Sequence, residues 1–167
     1  MAGVWAGAGG SSSRADDLAS RIEDTLPVFL AVEPAYTVVA RRWLADLAEN
    51  AKVPAIRWDL PEASHNALMT VAREAPRQLP VALFALGTPE REAARERWDA
   101  TLAVIESHGI QPVSIDEPHR DAWTRALGLA YLGDWVSVSL ADRLGMDASR
   151  LSLMDDLKRR LAGKEKR

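Results

Sequence analysis

The chain has 167 residues, 47% apolar and 27% charged, which is enough for one full core and an ordinary globular balance. It contains no cysteine, which excludes disulfides, thiol nucleophiles and cysteine-type zinc sites and fits a reducing, cytoplasmic compartment. The net charge of −3 hides an asymmetry: the last ten residues carry six bases and one acid, so the other 157 hold 15 bases against 23 acids. An acidic body of that kind is a poor binder of phosphate backbones, and nucleic acid is not an expected partner. No stretch approaches the roughly 20 apolar residues of a membrane span.

In chain order, residues 1 to 13 are a Gly/Ala/Ser lead-in, expected to be flexible, without the basic and apolar regions of an export signal. Residues 14 to 167 read as a single domain. Leu18, Ile22 and Leu26 recur at helical intervals, so a helix is predicted over 15–25. Residues 26–32 are a short apolar run and predict a buried strand. Pro34 suits the first turn of a helix reaching to about Asn50, with Val38, Val39, Leu44 and Leu47 facing inward. A second strand is predicted over 53–58, then a turn-rich loop over 59–66 and a short helix over 66–73.

A third strand follows at 79–86. Thr88 and Pro89 read as the cap and first position of a helix running to Ser107. Residues 110–115 predict a fourth strand, 120–144 a long apolar helix stopping at Gly145, and 149–162 a last helix whose basic end is solvated. Asp134 and Trp135 read as packed within the long helix, the Asp through a buried hydrogen bond, and the six tryptophans as core and rim. Strands alternating with helices imply a three-layer α/β/α sandwich with a mainly parallel sheet of about four strands and extra C-terminal helices.

The strongest chemical signal is the pair E-N-A-K (49 to 52) and L-P-E-A-S-H-N (60 to 66), which flank the second strand. A carboxylate such as Glu49 can move a proton between adjacent sugar carbons, because one base both makes and quenches the enediol. A histidine such as His65 exchanges protons near neutrality, as ring opening of a sugar requires. The other histidines, His108 and His119, share no metal-ligand spacing with it, so no metal site is expected. Gly7 to Gly10 lack both a preceding strand and the ending of a phosphate loop.

These two motifs, with Y-L-G-D-W-V-S-V (131 to 138), resemble the C-terminal sugar isomerase (SIS) domain of bifunctional phosphoglucose/phosphomannose isomerases over residues 26 to 162. The resemblance implies a SIS-like fold and a cofactor-free interconversion of glucose 6-phosphate or mannose 6-phosphate with fructose 6-phosphate. It implies Glu49 as the base between C1 and C2, His65 in ring opening, and Lys158 assisting at the ring oxygen. The implied partners are a sugar phosphate and either a second copy, whose site His65 would reach, or an N-terminal SIS half.

Three departures stand out. Ala67 replaces a usual Glu, Ser139 replaces a usual aromatic residue, and no S-x-S-G-x-T phosphate loop occurs. The alternative reading is therefore a non-catalytic sugar-phosphate-binding or dimerisation module.

Overall fold

The segment Leu26–Ala31 is apolar at nearly every position because it becomes the inner strand of a sheet covered on both faces. In the computed structural model, which describes residues 14–71, 80–118 and 121–164, it is β1. It pairs in parallel with β2 (Ile56–Asp59) on one side and β3 (Val81–Leu86) on the other. β4 (Val113–Ile115) pairs with β3, giving the order β2-β1-β3-β4. The helices are α1 (Arg14–Ile22), α2 (Pro34–Asp46), α3 (Glu92–Ser107), α4 (Ala122–Arg143) and α5 (Ser152–Lys164). The three-layer parallel α/β architecture predicted from the sequence is present. The lead-in and His119 lie outside the described residues.

Alternation along the strands divides the core in two. Phe29, Ala31, Phe84, Leu86 and Ile115 face α1, α2 and α4. Val28, Leu30, Leu83 and Ala85 face the other way, against Trp58, Leu60 and the α3 residues Trp98 and Ile105. On the first side, Phe29 stacks on Phe84 at 5.3 Å and meets Trp43 edge-on at 5.2 Å. The Trp43 indole N–H donates to the Leu129 carbonyl of α4 at 2.8 Å. That approach requires Gly133: a Cβ there would stand 2.4 Å from the Trp43 ring nitrogen.

The differences from the predicted elements have local causes. α3 starts at Glu92 rather than at Thr88-Pro89, with no local side-chain cap. A distant carboxylate holds the approach to it: Glu33 accepts from the backbone N–H of Glu90 and Arg91, the two residues before the helix, at 3.2–3.3 Å. β2 starts three residues late because the Val53 N–H still donates to the Leu47 carbonyl, closing the end of the preceding helix. β4 is shortened similarly, by the Ile110 N–H bonding the Ile105 carbonyl.

Val38 does not face inward. Tyr36, Val39, Ala40, Trp43 and Leu47 set the phase of α2, and Val38 is 68% exposed on its outer side. Leu44 is half-buried against the core. Trp135 is exposed rather than packed. Asp134 is half-exposed and ion-paired with Arg42 at 2.9 Å, in place of the buried hydrogen bond predicted for it. Trp43, Trp58 and Trp98 are core as predicted, and Ser139 has a polar role: its hydroxyl donates to Asp16 of α1 at 3.0 Å.

The α2–α4 contact gives a direct test. Gly133→Ala adds a methyl group where Trp43 is fixed by packing and by its hydrogen bond. Urea denaturation of the variant should show a loss of about 1–3 kcal/mol, the usual range for overpacking. An unchanged midpoint would mean that α2 and α4 separate without cost.

Candidate active site

α2 leaves the carboxyl end of β1 and runs back to the amino end of the sheet. There it widens into a π-helical turn, Leu47–Ala51, a distortion often found at functional sites. Each residue of E-N-A-K has a place in it. The Asn50 side-chain amide donates to Ser137 Oγ of α4 at 2.8 Å, and Ser137 in turn donates to the Asp134 carbonyl. Ala51 is buried. Lys52 takes a left-handed backbone, φ 61°, and its ammonium group donates to the Glu49 carbonyl. The turn is thus pinned at 50, 51 and 52, and Glu49 is left exposed.

Glu49 lines a groove of about 770 Å³ between this turn and the start of α5. That size is within the range of small-molecule pockets. Lys52 and Arg150 are its cationic groups, and Val53, Met146 and Met154 are among its apolar walls. Lys158 lies one turn beyond Met154 on α5 and is exposed. Its neighbours Arg159 and Arg160 both pair with Asp156, whereas Lys158 has no ion pair among the described residues.

His65 lies elsewhere. It follows the carboxyl end of β2, at the close of a short 3₁₀ turn, Glu62–Ser64. The loop is held by its neighbours: the Leu60 N–H donates to the Ala31 carbonyl, and the Asn66 amide to the Glu62 carboxylate at 2.9 Å. The Leu60–Pro61 peptide is cis. His65 is exposed, and Ala67 packs against the α3-side core. β2 alone is about 13 Å long at roughly 3.3 Å per residue. Glu49 and His65 therefore flank opposite ends of this strand, and the groove beside Glu49 does not include His65. The sequence reading set the two motifs on either side of the second strand, and the structure places those connections at that strand's two ends. Among the described residues no cluster of three His, Asp or Glu side chains could hold a metal ion.

The sequence reading missed the polar bridge beside Glu49. Arg42 donates to Asp46 at 2.8 Å and to Asp134 at 2.9 Å, tying α2 to α4. The Arg42/Asp46 spacing of four is legible in a helix. The partner 92 residues away is not.

A family model described as "Bacterial phospho-glucose isomerase C-terminal SIS domain" matches residues 11–161. The chain is 30% identical over 145 residues to the bifunctional phosphoglucose/phosphomannose isomerase of Aquifex aeolicus, covering 87% of this chain and 45% of that protein. It is 26% identical over 144 residues to the D-glucosamine-6-phosphate 4-epimerase of Sulfolobus acidocaldarius, covering 86% and 42%. A solved glucose-6-phosphate isomerase like protein from Thermus thermophilus shares the fold with TM-score 0.64 at 21% identity, over 87% of this chain and 46% of that one. The chain spans less than half the length of these relatives.

Asp46, one turn before Glu49, is buried, and burial pushes its carboxyl up from 3.8 to about 6; Arg42 opposes the rise and nearby Asp134 adds to it. A raised folded-state value means that the protonated form is favoured by folding. Its contribution is complete below about pH 4 and is lost as pH rises through about 6. The wild type should lose roughly 1–3 kcal/mol relative to Asp46→Asn between pH 4 and 7. Parallel stability–pH curves for the two proteins would refute this assignment.

Proposed function

We propose that this chain, which belongs to the family of bacterial phospho-glucose isomerase C-terminal SIS domains, is the base-carrying half of a cofactor-free sugar-phosphate isomerase. The reaction is the interconversion of glucose 6-phosphate or mannose 6-phosphate with fructose 6-phosphate. One observation carries the reading. The E-N-A-K and W-V-S-V motifs are hydrogen-bonded through Asn50 and Ser137, and the turn they fix holds Glu49 at the mouth of a groove.

In this reading the Glu49 carboxylate removes the proton from C2 of the open-chain aldose, giving an enediol, and returns it to C1. The hydroxyl proton moves from O2 to O1, so the reaction needs no outside reagent. His65, at the far end of β2, serves ring opening in the site of a second chain rather than beside its own Glu49. Lys158 approaches the ring oxygen from α5. The phosphate is held by groups outside these residues, either in a paired chain or in an N-terminal SIS half. The Sulfolobus relative, named for epimerising a hexosamine 6-phosphate, shares the hexose 6-phosphate class.

A second reading, a sugar-phosphate-binding or pairing module without turnover, is favoured by one feature. Ala67, where a Glu is usual, is half-buried and packs against the apolar core on the α3 side.

Without a phosphate-holding partner the substrate loses positioning, which is worth several kcal/mol of barrier. The isolated chain should therefore turn fructose 6-phosphate over far below the roughly 10 per second of an ordinary enzyme. Turnover at that level would overturn the half-site account. Joined to the N-terminal half of the Aquifex relative, His65→Ala should slow the cyclic sugar by about 10²-fold or more and spare an open-chain analogue. Equal losses on both substrates would remove His65 from ring opening.

A further inference from the structure

We propose that Glu33 is an internal substitute for a phosphate group: its carboxylate fills the anion seat at the carboxyl ends of β1 and β3 and denies that seat to a sugar phosphate. This deepens the functional reading above and rests on it for one point, that the substrate's phosphate is held outside these residues. In an open parallel sheet, ligands bind in the crevice where the connections from two neighbouring strands part to opposite faces. Here that place is between β1 and β3. α2 leaves β1 toward the face that holds α1 and α4, and α3 leaves β3 toward the other.

The crevice has the contacts of an anion site, and a side chain of the protein takes them. Glu33 is the residue before α2, yet its carboxylate makes no capping bond to that helix. It reaches across to the β3–α3 connection, where both of its oxygens accept from the backbone N–H of Glu90 and Oε1 accepts from that of Arg91 as well. The Arg91 Nε lies 3.6 Å from the same oxygen. Two successive amides leading into a helix, with an arginine beside them, are contacts that suit a phosphate. A glutamate in a connection is ordinarily solvated, but Glu33 is only 9% exposed. The other acids at this end of the sheet are committed: Glu90 to Arg125, Glu117 to Arg14, and Asp116 to the Glu117 amide.

A second group points to the same seat. Tyr36 is fully buried, and its hydroxyl has no hydrogen-bond partner among the described residues. Buried hydroxyls are normally paired. The ring is pressed against Gly87, where a Cβ would stand 2.5 Å from the hydroxyl-bearing carbon, so the O–H is held at the carboxyl end of β3. Glu33, Glu90, Asp116 and Arg125 all act on it through space. The two Glu33 oxygens are committed to the amides and leave this donor unused. A phosphate has further oxygens to accept from it.

The test is thermal melting of the intact 167-residue chain, with inorganic phosphate titrated against sodium chloride of equal ionic strength. The wild-type melting temperature should not respond to phosphate. Glu33→Ala removes the carboxylate and opens its space. It should melt lower in chloride and recover saturably with phosphate, with a Kd on the order of 1 mM and at least about tenfold tighter than any wild-type response. If Glu33→Ala is unfolded in chloride, the same titration reads the return of helical circular dichroism. Adding Tyr36→Phe to Glu33→Ala should weaken the phosphate response by about fivefold, the usual worth of one hydrogen bond. Phosphate that acts on wild type and Glu33→Ala alike, or on neither, overturns the proposal, as does a response that Tyr36→Phe leaves unchanged. Melting is read without turnover, so an inert Glu33→Ala leaves Glu49 standing as the base, and failure of Glu49 as the base leaves Glu33 in its seat.

Discussion

Trp43 ties three layers of contacts together. Its ring meets Phe29 of the central strand edge-on, its N–H bonds the Leu129 carbonyl, and Gly133 gives it room against α4. A buried indole N–H without an acceptor would cost about 1–3 kcal/mol, so the ring orientation and the helix spacing are fixed together. Everything at the end of α2 inherits that position. Asp46, Leu47 and Asn50 lie three, four and seven residues further on, the same face of the helix: the first two are buried and Asn50 bonds Ser137 of α4. Glu49 is off that face, which is why it is exposed in the groove.

The groove takes its electrical character from the same arrangement. Lys52 and Arg150 line it together with the exposed Glu49. A base that must take a proton from carbon needs a charged, unencumbered carboxylate, and an enediol benefits from positive charge nearby. His65 does not contribute to that groove from its own chain. Glu49 precedes β2 and His65 follows it, so the two lie at opposite ends of that strand.

Much of the fold could be read in the sequence because its signals are local. The continuous apolar strands, Pro34 at the start of α2 and Gly145 at the end of α4 each act within a few residues. The misread boundaries depended on distant partners. Thr88-Pro89 has the form of a helix start, but Glu33, 57 residues before Glu90 in sequence, binds the amides of Glu90 and Arg91 and the helix begins after them. Val38 fits an apolar face by type, while the phase of α2 is set by Trp43 and Tyr36. The motifs identified the candidate residues and the strand between them, yet only the folded chain shows that the groove beside Glu49 excludes His65. Ser139, a departure from the family pattern, became intelligible only with Asp16 beside it.

The central claim is that Glu49 is the base. The decisive measurement is deuterium uptake from heavy water into C2 of the sugar phosphate, catalysed by this chain joined to the N-terminal half of the Aquifex relative. Because the enediol exchanges its proton with solvent, the wild-type protein should incorporate deuterium. Glu49→Gln, which keeps the shape and removes the base, should lose exchange and isomerisation together by about 10²- to 10⁴-fold. A folded Glu49→Gln protein that exchanges deuterium at the wild-type rate would contradict the account.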